Sequence, residues 1–434
     1  MAGTECLHTG DRKAKYLFAA IWIIMSVTAI MHSVTYNMVV CHYRSWGISD
    51  WLINYEGGFV RRGLTGQLLL ELYRLHPYNV KTAILLITVI SSLWLLIVVC
   101  RMFRRKGWSY AILPLGCCFF YGFMELWVRK DMLLLLIAYY IFSSYRKYSS
   151  GHNTRHLLLF VVLSSLILLI HEAAFFFTIP ILMTYSLAAM GKEGGSVRIS
   201  VMIRRFMPFL PALLTMTSVC LFKGSSTIPH VIWQSWHEVF RAYPESNVPL
   251  FELCSDIGQG VVSLSWTTLD TMLFHLNVNC FGYFSANRYV ILSAGILLWL
   301  WMLLGNYYIV SRLNTISFRK DATALHTETE TGNTLLVQCL FMMPLLTVLS
   351  CDFGRTIPYW VLSSLMAVGC LGKLDIKALD NLTERLQKPF ARLPLGSKMA
   401  YCIMVMSVPM VDNYSPVGCL QIRILGKIAS FFIG

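Results

Sequence analysis

The chain has 434 residues, of which 56% are hydrophobic and 13% charged, and a mean hydropathy of +0.60 excludes an ordinary water-soluble domain. Its formal charge of +14 reports topology rather than nucleic-acid binding, because Lys and Arg in a polytopic membrane protein collect in cytoplasmic loops. The thirteen cysteines show no C-x-x-C pair and no Cys/His ligand spacing, so they read as small hydrophobes rather than metal ligands.

In chain order, the first apolar run covers residues 16–41, follows Arg12, Lys13 and Lys15, and lacks a cleavage site. It predicts an uncleaved anchor with the N-terminus inside. Further runs predict helices near 82–100, 109–126, 131–145, 157–170, 173–190, 207–222, 289–311, 334–350, 358–372 and 399–411, about eleven in all. The tail at 419–434 fits either a span or a surface segment. Threaded this way, 23 of the 36 Lys and Arg fall inside, 11 outside and two in the tail, which orients the chain with its N-terminus in the cytoplasm. The predicted fold class is all-α: one polytopic membrane domain over 1–434, with outer loops at about 42–80 and 223–287.

Within the first outer loop, Leu64, Leu68, Leu69, Leu72 and Leu75 recur at helical spacing, as in an amphipathic helix lying in the membrane interface. The second outer loop holds Trp233, Trp236 and Trp266, residues that favour the headgroup zone, and its Cys254 and Cys280 would permit a disulfide.

Four constellations carry candidate chemistry, and the threading puts each on the outer side. The first is Asn54-Tyr55-Glu56-Gly57-Gly58-Phe59-Val60-Arg61-Arg62-Gly63, where the glycines let a backbone approach a ligand and the arginines can fork onto phosphate oxygens; the plainer reading is an interfacial loop with snorkelling arginines. Arg129-Lys130-Asp131 forms a tight turn between two apolar runs, where a helix-terminus salt bridge is as good an account. His171-Glu172 interrupts an otherwise apolar stretch, a costly placement that fits an acid/base pair facing a polar cavity. Asp352-Phe353-Gly354-Arg355 offers one acid and one base that could also pair structurally. Cations, carboxylates and a histidine converging on one leaflet suit an anionic head group on a lipid tail.

Together E-G-G-F-V-R-R-G-L after the first helix, R-K-D, H-E before a Phe-rich run and proline, and D-F-G-R resemble the motifs of the Wzy-type O-antigen and capsular polysaccharide polymerases. The resemblance implies a glycosyltransferase-C-like helical bundle in the bacterial inner membrane. Such an enzyme joins oligosaccharide repeat units carried on undecaprenyl diphosphate at the outer face. It further implies no cofactor and no metal, in keeping with the absence of a D-x-D signature, and a chain-length regulator and a flippase as partners besides the lipid bilayer. On this sequence the implied catalytic residues are Glu56, His171 and Glu172, any of which could be the general base. The implied diphosphate ligands are Arg61, Arg62, Arg129, Lys130 and Arg355, with Gly57, Gly58, Asp131 and Asp352 in support. Two rivals share these features in part: a membrane glycosyltransferase using a polyprenyl-phosphate sugar donor, and a transporter of the lipid-linked glycan, which would need midplane charges and matched halves.

Overall fold

A computed structural model describes residues 30–108, 127–151, 153–192, 199–222, 227–241, 324–347 and 353–391, with a few isolated positions. Every element among these residues is helical. In chain order they are α1 (Gly63–Leu75), α2 (Val80–Lys106), α3 (Asp131–Gly151), α4 (Thr154–Ile170), α5 (Ala174–Lys192), α6 (Ile199–Leu221), α7 (Ile228–Ser235), α8 (Ala324–Thr347), α9 (Phe353–Leu371) and α10 (Lys377–Ala391). The predicted helices near 109–126, 289–311 and 399–411 fall wholly or largely outside the described residues, as do Asp352, Trp266, Cys254, Cys280 and the 419–434 tail.

Three described helices are long and apolar enough to cross a membrane: Val80–Lys106, Ala174–Gly191 and Ile199–Leu221. At about 1.5 Å per residue the 27 residues of α2 reach about 40 Å, more than a hydrocarbon core needs. Its sequence explains both ends. Asn79 caps the start by accepting from the Thr82 amide, and Arg104, Arg105 and Lys106 precede a left-handed Gly107 at the finish. One face of α2 buries Ile84, Thr88, Ser91, Leu95 and Met102, whereas Leu86, Ile90, Leu93 and Ile97 point outward at helical spacing. Large aliphatic side chains on an outer face are costly in water and normal in lipid, so this is a membrane protein by its packing as well as its composition.

The core lies where α3 and α9 meet, with α2, α4, α5 and α8 around them. α3 buries Leu134, Leu135, Ala138, Ile141 and Phe142, and α9 buries Ile357, Trp360, Leu362, Leu365 and Met366. The two helices run so that their N-terminal ends meet in an Asp131–Arg355 ion pair, while at their other ends Arg146 donates to the Cys370 carbonyl.

α1 forms where the leucine spacing predicts an amphipathic helix, and its leucines divide. Leu69 and Leu70 turn inward, and Leu68, Leu72 and Leu75 form an exposed stripe beside Gln67, Glu71 and Arg74. Its inner face sits directly on the Asp50–Leu52 turn: a Cβ at Gly66 would meet the Ile53 carbonyl oxygen at 2.0 Å, so only glycine permits that approach. Trp233 and Trp236, expected to favour the headgroup zone, are enclosed by protein. Both are buried, and Trp236 donates its indole N–H to the Leu52 carbonyl at 2.8 Å, because the start of the second outer loop packs on the first.

Candidate anion site

The site begins with a backbone. Tyr55 and Gly63 leave no room for a side chain on the latter, since a Cβ there would lie 2.3 Å from the Tyr55 ring. The chain reaches this close packing with Arg62 in the left-handed region (φ +64°), a conformation that costs a non-glycine residue about 1–3 kcal/mol. The strained residue bridges two carboxylates. Arg62 grips Glu172 through Nε (2.9 Å to Oε2) and Nη2 (2.5 Å to Oε1), and its Nη1 lies 3.4 Å from Asp50 Oδ1. A bidentate guanidinium–carboxylate pair of this kind is among the strongest side-chain contacts available.

Asp50, in turn, lies 3.5 Å from Lys130 Nζ, and that ammonium donates to the Arg62 carbonyl at 3.2 Å. Burial alone would raise the Asp50 carboxyl, but Lys130 and Arg62 outweigh it and hold the group well below its ordinary 3.8. The turn carrying Lys130 is pinned from two sides, because the Val128 carbonyl accepts from Trp51 Nε1 (2.7 Å) and from the Thr88 hydroxyl (3.3 Å). Arg129, from the same turn, lies over the Trp46 ring at 5.3 Å.

Next to this network stands a second pair. Arg355 holds Asp131 through Nε (3.1 Å to Oδ2) and Nη2 (2.7 Å to Oδ1), and the Tyr359 hydroxyl donates to the same carboxylate. Tyr359 is stacked on Phe177 at 4.6 Å, which ties α9 to α5 beneath the charges. The two pairs are joined through the chain, because Lys130, which reaches Asp50 and the Arg62 carbonyl, is followed directly by Asp131.

His171 and Glu172 occupy the turn between α4 and α5. The Ala173 amide donates to His171 Nδ1 at 3.2 Å, which makes that nitrogen an acceptor and puts the proton of a neutral ring on Nε2. The 3.7 Å approach of Nδ1 to Glu172 is therefore proximity rather than a hydrogen bond.

The structure thus brings together Arg61, Arg62, Arg129, Lys130, Asp131, His171, Glu172 and Arg355 from four separated stretches of sequence. Glu56 is turned elsewhere. Arg74 grips it at 2.9 Å through both terminal nitrogens, and that hydrogen bonding lowers the carboxyl below its usual range. Gly57 packs against Ile228, and Gly58 adopts φ +107°, so these glycines shape the turn that presents Arg61 and Arg62. Two members were missed in the sequence. Asp50 is a lone carboxylate among Ile48, Trp51 and Leu52, and an acid buried in such company was the available signal. Tyr359 stands four residues after Arg355, one helical turn along α9.

Exposure sorts the members by role. Arg61 (24%), Glu172 (18%), Arg62 (14%) and Arg355 (11%) are reachable from outside, whereas Asp50 (3%), Asp131 (1%) and Lys130 (0%) lie behind them. Five cations (Arg61, Arg62, Arg129, Lys130, Arg355) against three carboxylates (Asp50, Asp131, Glu172) leave a surplus of two positive charges among the described residues, with His171 neutral.

The cations are also placed against the helix dipoles. Arg62 precedes α1, Lys130 precedes α3 and Arg355 lies in the first turn of α9, all at the positive ends of helices. Each such placement costs a cation about 0.3–1 kcal/mol and favours an anion by a similar amount. Among the described residues no group of three or more His, Cys, Asp or Glu side chains could hold a metal ion. No protein-family model, curated protein or solved structure matches the chain.

Proposed function

We propose that this chain is a polysaccharide polymerase of the bacterial inner membrane, joining polyprenyl-diphosphate-linked oligosaccharide repeat units at the outer face. In this reading the whole chain makes about eleven spans, with the N-terminus in the cytoplasm. The observation that carries it is a cluster of five cations against three carboxylates, three of the cations at helix N-termini, with the exposed leucine stripe of α1 on the helix that follows Arg62. A membrane-anchored diphosphate needs both features: cations for the phosphates and an apolar margin for the lipid.

In the reaction an acceptor sugar hydroxyl attacks the anomeric carbon of the donor glycan. The bond from that carbon to the diphosphate oxygen breaks, the lipid diphosphate leaves with the electron pair, and the hydroxyl proton passes to a base. Arg61, Arg62 and Arg355, the accessible cations, take the charge that develops on the leaving group, an effect worth about 3–4 kcal/mol for a well-placed donor. Lys130, Asp50 and Asp131 hold those guanidiniums in place. Of the three candidate bases, Glu172 and His171 lie beside the cations, whereas Glu56 is engaged by Arg74.

The test is a ladder of surface-glycan lengths in cells lacking the chain. A surface glycan capped with a single complete repeat unit is expected. A ladder of normal length with one sugar missing from each repeat would overturn the reading in favour of a single-sugar transferase.

A further inference from the structure

We infer that Glu172 is an internal stand-in for the anionic substrate, occupying the Arg61–Arg62 guanidiniums until a diphosphate displaces it. The inference rests on the anion-site reading above and extends it to how the site is kept between turnovers.

Glu172 differs from the other two carboxylates of the site in how it is held. Asp50 and Asp131 are buried and fixed by groups that are themselves enclosed: Lys130 behind Asp50, and the Tyr359 hydroxyl on Asp131. Glu172 is the accessible one, and its partners Arg61 and Arg62 are accessible with it. Its two oxygens span the Nε and Nη2 fork of Arg62, with Arg61 Nη1 at 3.7 Å, much as two oxygens of a phosphate group would.

Displacement does not strand Arg62, because Asp50 remains on its Nη1 side at 3.4 Å. Nor does it move the backbone, since Glu172 sits in a turn whose carbonyls already accept the first amides of α5: Ala174 donates to His171, and Phe175 to Glu172 itself. The exchange is therefore a side-chain rotation. It closes the cation pair when no substrate is present, and when substrate arrives it returns a carboxylate to the edge of the site, next to where an acceptor hydroxyl would stand.

The experiment measures binding of inorganic pyrophosphate to the purified full-length chain in lipid nanodiscs at fixed ionic strength, by calorimetry and by thermal stabilisation. Removing the competing charge in E172Q is expected to tighten pyrophosphate binding about ten-fold, roughly the worth of one charge-assisted hydrogen bond. R61A and R62A are expected to weaken it at least about ten-fold. E238Q, which loses only a surface pair with Arg241, is expected to bind as the wild type does. Should E172Q fail to accumulate in the membrane, E172D, which draws the carboxylate back by one methylene, is expected to gain about three-fold. Unchanged or weaker binding by the Glu172 variants, with binding lost in R61A and R62A, would overturn the stand-in role and leave the diphosphate site standing. Pyrophosphate binding that no arginine substitution alters would overturn both.

Discussion

The two ends of the helix bundle solve the problem of buried polar groups differently. At the end where α3 and α9 begin, guanidiniums and carboxylates pair in chains with a cationic remainder. At the opposite end a neutral amide stands at the centre: Asn333 donates to the Leu374 carbonyl (3.0 Å) and to Asp380 (2.7 Å), which Lys373 pairs at 2.8 Å, and accepts from the Thr383 hydroxyl (2.7 Å). There Tyr185 also donates to the Gly372 carbonyl at 2.8 Å. An amide satisfied on both its donor and acceptor sides is the economical way to join helices, because charges carry a desolvation cost that neutral groups largely avoid. One end is closed around an amide, a single ion pair and one arginine, whereas the other gathers eight ionised residues, and the proposed anion site rests on that concentration of charge.

The sharpest way to break this contrast is D50N. It leaves the fully enclosed Lys130 without its carboxylate and is expected to destabilise the protein by about 3–5 kcal/mol, read as a fall in the unfolding temperature in detergent. The same pair sets a pH dependence. The folded Asp50 carboxyl lies below its unfolded value, so its stabilisation is complete above about pH 4 and is lost as the pH falls further through the lower folded value. Thermal unfolding scanned downward from pH 6 should show that loss, and D50N should flatten it.

Next in size are R61A, R62A and R355A. Each is expected to reduce polymer synthesis by about 10²- to 10³-fold while the protein still reaches the membrane, and normal-length polymer from all three would remove the diphosphate role. N333A tests the opposite end. It is expected to cost about 1–3 kcal/mol of stability with polymer length unchanged, and a shift in polymer length would show that the two ends are coupled. The smallest effect belongs to E238Q, whose exposed partner Arg241 contributes at most about 1 kcal/mol, so its unfolding temperature should move within error.

Apolar runs located the described long helices but not all their ends: α6 starts eight residues and α8 ten residues before the predicted runs, and α2 and α3 each extend six residues beyond them, because polar residues continue a helix past its apolar stretch. Helices begin a little earlier where a cap reaches back, as Asn153 does for α4. Tertiary burial was less legible. Trp233 and Trp236 carry the composition of a headgroup anchor, yet loop-on-loop packing encloses them. Within the site, motif proximity grouped Glu56 with Arg61, five residues away. Folding of α1 instead brings back Arg74, eighteen residues on, to claim that carboxylate. Asp50 lies outside every charged motif, and the approach of Arg62, twelve residues later, and Lys130, eighty residues later, gives it a role. Pairings across such separations have no local periodicity to announce them.

The Asp131–Arg355 pair also sets a clock on biogenesis. Its members are separated by 224 residues, which at about 5–20 residues per second puts on the order of ten to forty-five seconds of synthesis between them. Throughout that interval α3 is already made and carries at its leading end a carboxylate destined for the interior with no guanidinium to meet it. The ribosome must deliver α4, α5 and α8 before α9 brings the counter-charge, so α3 cannot settle into its final depth when it first leaves the insertion machinery. α9, made after α8, is therefore the helix that locks the turn at the start of α3, and chains truncated before Arg355 should be recognised by membrane quality control as unfinished.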